Sequence, residues 1–425
     1  MTRSFGMRLY DAIGIALGTL AAPTVPLLSV TRAGTGLGER LGQIPAAMRA
    51  VAAGRPVWIH AASVGEVLAA APLVDALRAR WPERPVVFST TSLTGRAAAQ
   101  RLAGVSGAML LAVDLRCIVE AALRAVAPRA LIVMETEIWP ALFSAADAAH
   151  VPVAIVSGRV SPGAARRYRL AQPFVRAALR HATVLAMQTD GDAERIRALG
   201  APAERVRVIG SLKYARVPSA PASAASATLF GLNGRPVLVA ASTQPGEETV
   251  VLDACADLWS SYPDCLLIVA PRRPERFDEV DALLGQRQAR RQRRSQIGAG
   301  VRPDTQVLLL DSVGELPGLL AGARGVFVGG TIADLGGHNL LEPAAAGTAV
   351  CFGPHTQNVA EAAAALLASG GGVCVRDAAE LRALWLRLLA EPEQARAMGM
   401  RARSVIRARA AVLDDTLAVL EPLLA

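Results

Sequence analysis

The stretch RPVWIHAASVGEVLAAAPLVDALRARWPERPVVFST, residues 55–90, decides the fold. Residues 56–61 form a short β-rich apolar run bounded by Pro and polar residues, and read as a strand. Residues 67–81 are rich in Ala, Leu and Arg and read as a helix, and residues 85–90 read as the next strand. Strand, helix and strand in succession imply parallel pairing with a crossover helix. The alternation continues, with strands expected at 129–134 and 151–156. A Ser-, Ala- and Pro-rich segment, residues 217–234, then looks like a linker. A second series follows at 236–241, 265–270, 306–311, 325–329 and 349–352. The expected class is α/β with two Rossmann-like domains, at 36–216 and 235–425, the last helix being free to pack back on the first. Two doubly wound halves hold ligands in a crevice at the carboxyl ends of the strands.

The chain has 425 residues, enough for two such domains, and its 52 % hydrophobic content argues against disorder. Its formal charge of +9 is carried almost wholly by Arg. That suits anionic partners such as a phosphate-bearing substrate, nucleic acid or an acidic lipid surface, or else reflects Arg-rich codon usage. The basic stretch 286–294 has no interleaved aromatics, so it reads as a solvated helix face or loop and no nucleic acid is expected. Five scattered cysteines without a CxxC argue against a disulfide framework and a structural zinc site; all five are expected as small buried hydrophobes. Residues 12–30 are uncharged and apolar, flanked by Arg3, Arg8, Arg32 and Arg40, and interrupted by Pro23 and Pro26. The favoured reading is an uncleaved membrane anchor or interfacial segment over 1–35, with the catalytic bulk on the cytoplasmic side. A cleaved signal peptide and a soluble amphipathic helix are the alternatives.

Polar motifs follow the expected strands. In HAASVGE (residues 60–66) Gly65 permits close backbone approach and Glu66 enters a helix. Glu66 is either a general base for an acceptor hydroxyl or a first-turn acid complementing the helix dipole. In METEIWP (134–140) Glu135 and Glu137 point the same way if the strand continues. Burying either one calls for a cation nearby. Arg159 in SGRVS (157–161) or Lys213 in GSLK (210–213) can supply it; a purely structural ion-pair network is the other reading. VGG (328–330) and GGHNLLEP (336–343) are the most informative. A helix starting near His338 would offer free N–H groups to a nucleotide phosphate. Asn339 and Glu342, three apart, would share a helix face, with Glu342 accepting from ribose hydroxyls. In PRRPERF (271–277) Arg272 and Arg273 suit phosphate or carboxylate, or act as surface salt-bridge donors. VGE (313–315) can line a nucleotide base through its backbone.

Together HAASVGE, METEIWP, SGRVS, GSLK, ASTQPGEE, PRRPERF, VGEL, GGHNLLEP and FGPHTQN fall in one order over nearly the whole chain. In that order they resemble the Kdo transferases (glycosyltransferase family 30), which join 3-deoxy-D-manno-oct-2-ulosonic acid, Kdo, to lipid A. The resemblance implies a GT-B fold and inverting transfer from CMP-Kdo to a lipid A precursor, lipid IVA. It also implies no cofactor and no metal, and a place at the cytoplasmic face of the bacterial inner membrane. By motif match Glu66 corresponds to the proton acceptor, and Glu135 and Lys213 to residues supporting the transition state. Pro271, Arg272, Val313, Gly314, Glu315, Asn339, Leu340, Leu341 and Glu342 match the CMP-binding segments. The chain departs from the family at Gln244 and Arg273, where His is frequent, and at Tyr214-Ala215, where Phe-Asp is usual. The competing readings are another GT-B nucleotide-sugar transferase or epimerase with a different sugar, and an inactive membrane-bound nucleotide-sugar binder.

Overall fold

A computed structural model describes residues 36–215, 234–297 and 300–425, with Tyr10 and Ala12. The chain divides into two compact units, Met1–Arg216 with Ala411–Ala425, and Val217–Ala410. The first holds strands β1 (Val57–His60), β2 (Val86–Thr90), β3 (Val105–Leu110), β4 (Ala130–Met134), β5 (Val153–Gly158), β6 (Val184–Met187) and β7 (Val206–Val208). The second holds β8 (Val237–Thr243), β9 (Leu266–Pro271), β10 (Arg291–Arg293), β11 (Val307–Leu309), β12 (Gly325–Val328), β13 (Val350–Phe352) and β14 (Gly372–Cys374). Each unit is one seven-stranded sheet, ordered β3-β2-β1-β4-β5-β6-β7 and β10-β11-β9-β8-β12-β13-β14. All pairings are parallel.

The central strands VWIH, ALIVM and VAIVSG are buried along their whole length, as a parallel sheet covered on both faces requires. Trp58, Val87, Leu131 and Ile155 pack into one core layer. Their neighbours Val57, Phe88, Ile132 and Val156 pack into the other, together with Val412, Leu420 and Leu424 of the last helix. This alternation places one layer of helices on each face. The chain order reverses between β1 and β4 in the first sheet and between β8 and β12 in the second. Those two reversals are the places where such sheets leave a crevice.

Several expectations are corrected. Only the first part of 286–294 is a solvated helix end and loop: Gln286 closes a helix and 287–290 form a largely exposed turn, whereas 291–293 are a strand. Strand β10 forms the sheet edge, and its charge is met by carboxylates: Arg291 with Asp281 (2.7 Å), Arg293 with Asp278 (2.7 Å) and Asp311 (2.9 Å). Arg294 pairs with Glu315 at 2.7 Å. Of the cysteines, Cys255, Cys265 and Cys351 are buried, but Cys374 is half-buried and Cys117 exposed; all five are free. The apolar segment 12–30 and the linker 217–234 lie outside the described residues, apart from Ala12 and Gly234. Among the described residues no helix is long and apolar enough to cross a membrane.

Candidate active site

In the first domain the reversal point gathers three carboxylates. Ser63 caps the helix Val64–Arg80, accepting from the Glu66 N–H at 3.3 Å and donating to Glu66 Oε1 at 2.9 Å. The Ala62 N–H donates to Glu66 Oε2 at 2.9 Å. This reciprocal bonding is a capping box, so the first-turn role of Glu66 is real. It does not exhaust the residue. Burial raises its pKa above the ordinary 4.5; the Ala62 and Ser63 bonds pull the other way, and the charges of Glu135 and Glu137 add to the rise. A half-buried carboxylate with raised basicity beside other acids is the arrangement a general base requires.

Strand β4 ends at Met134 and does not continue through Glu135 and Glu137, contrary to expectation. Glu135 turns into the left-handed region (φ 53°) while its N–H still reaches the Val156 carbonyl at 2.9 Å. Such a backbone is costly for a non-glycine residue and tends to mark functional sites. The turn brings Glu135 Oε1 to 2.8 Å from Lys213 Nζ. Lys213 is the only lysine in a chain that otherwise uses arginine. A compact point charge is therefore retained where a guanidinium fork would be far bulkier. Its turn is fixed by Ser157, itself at φ 53°, whose hydroxyl accepts from the Leu212 N–H at 2.9 Å. Arg159 does not serve as the cation: its side chain is exposed and its N–H donates to Thr136 Oγ1 at 2.8 Å. Glu137 lies instead 3.8 Å from Nε2 of the buried His60, whose Nδ1 meets Ser89 Oγ at 2.9 Å.

In the second domain the expected nucleotide residues follow three strands, 271–272 after β9, 313–315 after β11 and 339–342 after β12, the last beside the β8–β12 reversal. The helix after the glycines starts at Leu341, not near His338. Asn339 Oδ1 accepts from the Leu341 N–H at 3.0 Å, and Asn339 Nδ2 donates to Glu342 Oε1 at 2.9 Å. The pair is thus joined across a turn rather than along a helix face. The N–H groups of residues 330–333 are not open to an anion, because the buried carboxylate of Glu247 accepts all four. Leu340 and Leu341 are buried beneath the turn, while Asn339 is exposed and Glu342 half-buried. Pro271 ends β9. Arg272 is exposed, its N–H donating to the Thr243 carbonyl at 3.1 Å. Its charge lowers the pKa of His338, after burial, which is the larger cause. Val313 is 81 % exposed and Gly314 takes φ 93° with open space around it. Glu315 is held by Arg294 and the Ser312 hydroxyl, and both depress its pKa. Sequence reasoning missed Glu247, Glu248 and Arg276. They stand in ASTQPGEE and PRRPERF, where carboxylates in a helix's first turn and an arginine in a proline-rich loop look like surface groups.

Among the described residues no group of His, Cys, Asp and Glu is arranged to hold a metal ion. Two Rossmann-like domains with polar groups just past the carboxyl ends of their strands define a doubly wound α/β protein of the kind that binds its ligands there. Residues 35–216 match the family described as 3-deoxy-D-manno-octulosonic-acid transferase (kdotransferase). The chain is 39 % identical over 376 residues to the 3-deoxy-D-manno-octulosonic acid transferase of Bordetella pertussis, covering 86 % of this chain and 87 % of the relative. It is 33 % identical over 375 residues to that of Haemophilus influenzae, covering 87 % of each. The chain belongs to the 3-deoxy-D-manno-octulosonic acid transferases, and its activity is Kdo transfer, in lipopolysaccharide core biosynthesis. A UDP-GlcNAc 2-epimerase from Neisseria meningitidis, solved with UDP-GlcNAc, shares the fold with a TM-score of 0.60 at 13 % identity, over 86 % of this chain and all of the other.

Proposed function

We propose that the protein is an inverting GT-B enzyme whose second domain holds CMP-Kdo and whose first receives lipid IVA, with Glu66 as the general base. The observation that carries this reading is the raised basicity of Glu66 beside the Glu135–Lys213 pair. A sugar hydroxyl is a poor nucleophile until its proton is taken. Glu66 accepts that proton as the hydroxyl oxygen bonds to the anomeric carbon of Kdo and the bond from that carbon to the CMP phosphate breaks. The departing phosphate gains charge, for which Arg272 is the available guanidinium, making no ion pair among the described residues. Glu342, its Oε1 already fixed by Asn339, is free at Oε2 to accept from the ribose hydroxyls. Lys213 supplies positive charge to the reacting sugar, held in place by Glu135. Residues 1–35 attach the enzyme to the cytoplasmic face of the inner membrane, a reading supported by the apolar run and its flanking arginines.

The test is transfer from CMP-Kdo to a tetra-acylated, bis-phosphorylated lipid A precursor, with Glu66→Ala assayed alongside. The wild type should convert the lipid, and Glu66→Ala should lose at least ~100-fold, the low end for removing a general base. An unchanged lipid with intact donor rules out this acceptor; full activity of Glu66→Ala removes the base assignment.

A further inference from the structure

Glu247 opens the helix Glu247–Cys255 immediately after β8 and is 1 % exposed. Its carboxylate faces no cation within ion-pair distance among the described residues. Instead it accepts five main-chain N–H groups. Oε2 takes those of Gln244 (3.0 Å) and Gly330 (2.7 Å), and Oε1 those of Thr331 (3.1 Å), Ile332 (3.0 Å) and Ala333 (3.1 Å). Consecutive N–H groups converging in this way form an anion nest. Here the chain fills the nest with its own side chain. Contact is close enough that a Cβ on Gly329 would stand 2.6 Å from Glu247 Oε2, so only glycine fits there.

The same loop continues into the turn proposed to hold the nucleotide. The Gly330 carbonyl accepts from the Gly337 N–H at 2.7 Å, and the Gly329 carbonyl from the His338 N–H at 3.3 Å. His338 Nε2 meets Gln244 Nε2 at 2.8 Å. Asn339 and Glu342 follow at once. With the carboxylate removed, the N–H groups of 330–333 lose their common acceptor and have no reason to keep one direction. The anchor of residues 337–342 then loosens.

We infer that Glu247 is a positioning residue for the donor nucleotide, its negative charge setting the backbone that presents Asn339 and Glu342. This rests on the reading that CMP binds at that turn. The experiment is calorimetric titration of the full chain with CMP, for wild type, Glu247→Ala and Glu247→Gln, each with and without added formate at constant ionic strength. Steady-state kinetics accompany it. Glu247→Ala should bind CMP about tenfold more weakly or worse, by analogy with the low end of the loss when a partner that orients a metal ligand is removed. The KM for CMP-Kdo should rise in step, with kcat at saturating donor and the KM for the lipid little changed. Formate, small enough for the vacated nest, should restore CMP affinity to Glu247→Ala, and chloride should not. A role in packing alone would not respond to an added carboxylate. Glu247→Gln keeps the shape without the charge and serves if the alanine variant fails to fold; it should also weaken CMP binding. CMP affinity unchanged in Glu247→Gln, or a loss in Glu247→Ala that formate leaves untouched, overturns the inference. A wild type that binds no CMP overturns the donor reading and this inference with it.

Discussion

Glu66 is pulled in opposite directions by its surroundings, and one pull of each sign can be removed singly. Burial raises its pKa most; Glu135 and Glu137 add to the rise, while the Ala62 N–H and the Ser63 hydroxyl oppose it. A general base works ionised, so activity falls as pH drops through that pKa. The acid limb of kcat/KM should therefore lie above the ordinary carboxylate value of 4.5. Glu137→Gln removes a like charge and should move the limb to lower pH. Ser63→Ala removes a bond that favours the ionised form and should move it to higher pH. Shifts in the same direction for both variants would mean that another group sets the limb. The sequence made Glu66 and Lys213 legible as polar residues just past strand ends. It could not show that the chain at Glu135 turns into a left-handed conformation, because that turn depends on the Val156 carbonyl from the neighbouring strand. Without the turn, Glu135 and Glu137 look equivalent. With it, one meets Lys213 and the other approaches His60.

At the level of elements, most apolar runs were readable, even where the strand is as short as β11 or β13, and polar strands were not. β1, β2, β4 and β5 stand where apolar runs predict them, since each is buried on both faces. β3 carries Ser106 and Gly107, β7 is VRV, and β10 is RQR; their partners, not their own hydrophobicity, make them strands. The helix near residue 338 was placed three residues early because Asn339 Oδ1 holds the Leu341 N–H in a turn that precedes the helix, a local bond that spacing alone does not reveal. The ASTQPGEE and PRRPERF loops, which follow adjacent strands, are fastened by a pair that also escaped the sequence. Arg276 Nη1 and Nη2 lie 2.7 and 3.1 Å from the two oxygens of Glu248, which is 1 % exposed. Arg276→Met strands that carboxylate without a cation and should cost about 3–5 kcal/mol in urea denaturation. The double variant Arg276→Met with Glu248→Leu should recover most of the loss, since no buried charge remains. A single variant as stable as wild type would mean that Glu248 is solvated after all.

For the whole molecule, the chain's last helix decides which parts share their stability. Val412–Leu424 follows the second sheet in sequence but belongs to the first unit. Val412, Leu420 and Leu424 are buried in the layer that also contains Val57, Leu73 and Leu77. Polar tethers reinforce the placement: Arg80 pairs with Glu421, and Arg129 donates to the terminal Ala425 carbonyl. One face of the first sheet is therefore covered in part by residues far beyond it in sequence, whereas the second has its core within Val217–Ala410. Leu420→Ala leaves a cavity in that layer and should cost about 2–5 kcal/mol, charged to the first unit alone. Native-state hydrogen exchange separates the two cases. Amides of β1, β2 and β4 should exchange faster in the variant, while those of β8, β9 and β12 keep their wild-type protection. CMP binding, which the proposal assigns to the second unit, should be preserved under conditions where transfer is already lost. Equal acceleration in both sheets would show instead that the units unfold as one, and the last helix would then stabilise the donor domain as much as the sheet it covers.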